Sequence, residues 1–141
     1  MDTSGRLRWL RAVLLMGAVY LVTGLVFATL AGWSGSGQMR VIWRLAAWVI
    51  SAAAFTAHIG YEHLRLRSTP RTTALHASLG VALGAFGLAV AANLHAPPAS
   101  SQKHSQALAL ALVLWPVLTG PPAFVVALAG AAGLAHWRRT D

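Results

Sequence analysis

The sequence contains no cysteine. Disulfides, thiolate metal sites and a cysteine nucleophile are therefore excluded from its chemistry. It is also short of acid. Asp2, Glu62 and Asp141 are the only carboxylate side chains in 141 residues, and two of them sit at the termini. Chemistry that needs a pair of internal carboxylates cannot be run by one such chain. Charge of either sign is scarce: 10% of residues are charged, against roughly 25% in a soluble domain. Nucleophile-elbow, P-loop, zincin and dinucleotide-binding fingerprints are missing as well.

What fills the sequence is apolar. Hydrophobic residues make up 57% of it, and the mean hydropathy is +0.61. A water-soluble fold this small would have to hide more apolar surface than its interior holds. A bilayer removes that difficulty, because lipid-facing positions stay apolar. Net charge is +8, from eleven basic residues. These flank apolar runs and do not form a stripe interleaved with aromatics, so the positive-inside rule explains them better than nucleic-acid binding does. The expected partners are membrane lipids and other membrane protein subunits, or further copies of the chain, and no nucleic acid.

A spanning helix takes about 20 mostly apolar residues. The sequence divides into four such runs, about 10–31, 41–63, 72–94 and 106–137. The first follows a basic head of Arg6, Arg8 and Arg11. It exceeds the apolar core of a signal peptide, roughly 7–15 residues, and no small-x-small cleavage site follows, so it reads as a retained helix. The breaks fall at Trp33-Ser34-Gly35-Ser36-Gly37, at Arg65 to Arg71 around Pro70, and from Ala96-Pro97-Pro98 to Lys103. At 1.5 Å per residue the fourth run would be about 48 Å long, against a hydrocarbon core of about 30 Å. Pro116, Pro121 and Pro122 remove backbone donors inside it, so a kink or interruption is expected near Pro116–Pro122. That implies either an interfacial helix followed by a span, or one long kinked helix. The fold class expected is an all-α integral membrane protein, a four-helix transmembrane bundle forming a single domain.

Orientation follows from the basic residues. With the N-terminus inside, the cytoplasmic side holds Arg6, Arg8, Arg11, Arg65, Arg67, Arg71, Arg138 and Arg139, and the other side Arg40, Arg44 and Lys103. Eight against three favours N-in/C-in. Trp9 and Trp137 then fall at the inner boundary, and Trp33 and Trp43 at the outer one. Trp48 and Trp115 fit neither. The setting expected is a multi-pass protein of a bacterial cytoplasmic (inner) membrane.

Helices in lipid approach closely where residues are small. The first run offers Gly17, Gly24, Ala28 and Ala31, and the third Gly80, Gly84, Gly87 and Ala91. These read as helix-packing seams.

The second run carries the polar groups. Arg44, Trp48, Ser51, Phe55, His58 and Glu62 recur at three- and four-residue spacing and share a helix side. His58 and Glu62 are one turn apart, close enough to interact. His76 lies across the same short loop, at similar depth on the next antiparallel helix. Ionisable groups within membrane segments turn toward partners or cavities. The His58/His76 pair has the donors to bind haem b axially, and with Glu62 it has the donors for a transition metal. The plainer reading is that Glu62, His63, Arg65 and Arg67 lie at the helix end, where polar side chains snorkel to water. His95 and His104 bracket the Pro97-Pro98 loop and read as solvated. Asn93 is read as a helix terminator or an inter-helix hydrogen bond.

With minimal loops, small-residue seams and too few charged groups for catalysis by a lone chain, the leading expectation is non-enzymatic. It is an accessory or structural subunit of a larger membrane complex, of the redox or energy-transducing kind. The alternatives are an electron-transfer protein binding haem or metal through His58 and His76, and a small oligomeric transporter or channel with Arg44 and Glu62 along its path.

Overall fold

The structure, a computed structural model, describes residues 3–96 and 101–137. Arg138 and Arg139 of the basic-residue count, and the Pro97-Pro98 pair, lie outside the described residues. The described chain is all-helical: α1 (Thr3–Trp33), α2 (Gly37–Leu64), α3 (Pro70–Leu94) and α4 (Gln102–Trp137). All four are long and apolar enough to cross a membrane.

The helix starts come earlier than hydropathy places them, because polar caps set them. The Ser36 side chain accepts from Met39 N at 3.2 Å, so α2 begins before its apolar run does. Thr69 does the same for Thr72 N. Pro70 then occupies the first turn of α3, where its missing donor is harmless and its φ preformed. Ser101 Oγ accepts from His104 N ahead of α4.

The interruption expected near Pro116–Pro122 is not found: α4 is one continuous helix with all three prolines inside it. The interfacial-helix version is thereby corrected. The prolines leave the carbonyls of Leu112, Val117 and Leu118 without their helical donors. Packing on α3 holds the helix together on both sides of them. Asn93 Nδ2 donates to Leu108 O at 2.8 Å before the prolines. Ala127 and Ala131 are buried with Ala74 and Ala77 beyond them. Between these points Gly120 is buried, and a Cβ there would stand 3.6 Å from the Ala82 methyl. Neighbouring helices are what allow proline inside membrane helices.

The arrangement is centred on α3. It packs most extensively on α4, then on α1, while α1 and α4 do not meet among the described residues. Helix α2 lies on α1 and reaches α3 and α4 only slightly. Its buried residues, His58, Ile59, Glu62 and His63, are confined to its C-terminal turns. The core is correspondingly thin: Ile59 with four alanines, flanked by Phe55, Phe124, Leu128 and Leu134.

Glycines define the α1–α3 contact. A Cβ on Gly17 would fall 2.7 Å from Leu83 Cδ2, and one on Gly24 2.7 Å from Leu88 Cδ1. In the reverse direction, a Cβ on Gly84 would meet Tyr20 Cβ at 2.5 Å and the Gly17 carbonyl oxygen at 3.2 Å. Gly80 faces Met16, and Gly87 faces Leu21. The two glycine runs therefore face each other within the chain.

Candidate functional site

The polar groups of the chain's interior converge where the C-terminal end of α2 meets the N-terminal ends of α1 and α3. At 0% exposed, Glu62 is the most completely buried ionisable side chain described. One carboxyl oxygen, Oε2, takes a hydrogen bond from Ser68 Oγ at 3.1 Å and lies 3.1 Å from His76 Nδ1. The other, Oε1, stands 3.8 Å from His58 Nε2, beyond hydrogen-bond distance. The carboxyl is thus bracketed by two imidazoles, one in direct contact and one not.

Local structure explains how the third partner arrives. After α2 ends, Arg67 adopts a left-handed conformation, φ 51°, which is uncommon for a residue with a Cβ. The turn it makes brings Ser68 back under the helix end. There its N–H donates to the Glu62 carbonyl at 3.2 Å while its hydroxyl donates to the Glu62 side chain. His76, two turns into α3, is held from the other side by Trp9 of α1. The rings stack 4.9 Å apart at 9°. One carboxyl therefore ties together α2, the following loop and α3, and α1 joins through the indole.

Of the residues singled out from sequence, His58, Glu62 and His76 are brought together. The snorkelling alternative fails for Glu62 and His63, both of which are buried. The side shared by Arg44, Trp48, Ser51, Phe55, His58 and Glu62 is not one buried face. Arg44 and Trp48 are exposed, Ser51 and Phe55 half-buried, and only the last two fully enclosed. Helical spacing fixes which residues share a side, but a neighbour must be present to bury them. His95 is exposed and its ring Nδ1 donates to the Ala91 carbonyl, while Asn93 bonds across to α4.

Trp9 and Ser68 belong to the site without having been assigned to it from sequence. The burial of His63 had a signal, since it lies four residues after Ile59 and so on the core side of α2. Ser68 and Trp9 gave none, because their roles depend on the path of a loop and on which helix covers α3. Several buried polar atoms here lack a hydrogen-bond partner among the described residues: both ring nitrogens of His58, Glu62 Oε1, His63 Nδ1 and Thr73 Oγ1. Among the described residues, no group of three His, Cys, Asp or Glu side chains is placed to hold a metal ion.

Compared with protein-family models, with curated proteins and with solved structures, the chain shows no match to any of them.

Proposed function

We propose that the chain is an accessory subunit of a membrane complex, embedded through its four helices with both termini and the Arg65–Thr69 loop on the cytoplasmic side. The observation that carries this reading is the free flank of α2. Trp48 lies near the middle of that helix and is 77% exposed. Arg44 projects from the same side one turn away and is also exposed. Tryptophan favours the membrane boundary, so the Trp48 indole near mid-helix is not well served by hydrocarbon, and Arg44 lies one turn nearer the outer boundary on the same side. A neighbouring helix that stacks on the indole and accepts from the guanidinium serves both. That neighbour belongs to another subunit or to a second copy of the chain.

The His58–Glu62–His76 cluster has a structural part in this reading: it fixes the angle between α2 and α3, so that the flank of α2 is presented rigidly. Haem or metal binding by His58 and His76 is the weaker reading. Both imidazoles face one carboxyl, which occupies the space between them. The glycine runs lend the subunit reading no support of their own, since they meet each other within the chain.

Blue-native electrophoresis of membranes dissolved in a mild detergent tests the proposal. The wild-type chain is expected in a species larger than one chain with its micelle, and Trp48→Ala with Arg44→Leu is expected to release it. Migration of the wild type as a single chain would overturn the proposal.

A further inference from the structure

A groove of about 400 Å³ runs between α1 and α2, with His58 in its lining. Its two ends differ in chemistry. Arg8, Arg11 and Tyr61 border it toward the helix ends, while Leu15 and Met16 line it toward the middle of the bundle. On α1 the order follows from helical spacing: positions 8, 11 and 15 are three and four residues apart and share a side. A cationic mouth continuous with an apolar trough, parallel to helices of membrane-spanning length, matches an amphiphile with an anionic head and an alkyl tail.

His58 supplies a second, independent observation. It borders the groove, is 3% exposed, and neither ring nitrogen has a hydrogen-bond partner among the described residues. A desolvated polar group without a partner is destabilising, and buried polar groups are normally hydrogen-bonded. An ester or phosphate oxygen at the floor of the groove would meet that need. The carboxyl of Glu62 does not line the groove and is held by Ser68 and His76. The volume falls within the roughly 300–1,000 Å³ of ordinary ligand sites, enough for a headgroup and the first part of one chain.

We propose that this groove binds one anionic phospholipid, with its phosphate on Arg8 and Arg11, its glycerol-ester region over His58, and an acyl chain along Leu15 and Met16. The inference rests on the chain's being membrane-embedded and is independent of its having a subunit partner.

The test is lipid retention by the full-length protein, read by native mass spectrometry from micelles containing phosphatidylglycerol or phosphatidylcholine with the same acyl chains. The wild type is expected to hold one phosphatidylglycerol in preference to phosphatidylcholine. Arg8→Gln with Arg11→Gln should lose about thirtyfold in that preference, the worth of two basic contacts to an anionic lipid. Arg40→Gln with Lys103→Gln removes the same charge at the opposite end of the bundle and should change nothing. Arg8→Lys with Arg11→Lys, which keeps the charge, guards against misfolding and should retain most of the binding. Equal retention by the Gln variant, or displacement of the lipid by millimolar inorganic phosphate, would overturn the proposal; the latter would assign the groove to a free anion. Release of the chain from membranes by alkaline carbonate would instead sink the membrane reading on which it stands.

Discussion

At the scale of single residues, Glu62 decides most. A carboxyl with no exposure has lost its water, and it is tolerated because Ser68, His76 and, at longer range, His58 surround it. Removing it strands donors on two elements at once. Glu62→Ala is therefore expected to reduce stability by about 2–4 kcal/mol, the usual range for breaking a buried polar contact and leaving its partner unpaired. Glu62→Gln keeps an acceptor for Ser68 and His76 and should lose clearly less. His76→Phe separates the two contacts of that imidazole, since it preserves stacking on Trp9 while abandoning the carboxyl. Unfolding in mixed micelles followed by circular dichroism would rank these variants. Equal stability of Glu62→Ala and wild type would show that the cluster does not hold α2 to α3.

At the scale of helices, the contrast lies between α3, clamped on two sides, and α2, held chiefly at one end. The α1–α3 contact depends on backbone approach at glycine, so its tolerance is sharply positional. Gly84→Ala would press a methyl against Tyr20 Cβ and the Gly17 carbonyl, and neither is the far end of a flexible side chain. A loss of about 1–3 kcal/mol is expected, as for overpacking in a well-packed interior. Gly32 has nothing within 4 Å of the corresponding point. Gly32→Ala should be neutral or gain up to about 1 kcal/mol from helix propensity. Thermal denaturation of the two variants side by side checks both. If Gly84→Ala is as stable as Gly32→Ala, the helices are not as close as described.

At the scale of the whole molecule, the surface is apolar, as suits four helices long and apolar enough to cross a membrane. The interior is built from alanines and glycines, while leucines, valines and tryptophans project outward along all four helices. In water this would be inverted. In a bilayer, small residues let helices approach and the larger apolar ones meet acyl chains. The proposed orientation gives a prediction at this scale. Reporter fusions after Ser68 and at the C-terminus should both behave as cytoplasmic, because eight of eleven basic residues then lie inside. A non-cytoplasmic signal at either site would reverse or break the topology.

The sequence by itself determined the helical class, the number of long apolar helices and which polar residues share a helix side, because these depend on local composition and on a period of 3.6 residues. It placed His58 one turn from Glu62, and His76 across a short loop, for the same reason. Tertiary structure alone decided what each helix side meets. It turned the glycine runs of α1 and α3 toward each other, buried Glu62 and His63 at a helix end where exposure was the plainer expectation, and left Arg44 and Trp48 uncovered on the same side of α2. It also carried α4 unbroken through Pro116, Pro121 and Pro122. Proline's penalty is local and readable in the sequence. The packing on α3 that offsets it comes from residues tens of positions away, which no local pattern encodes.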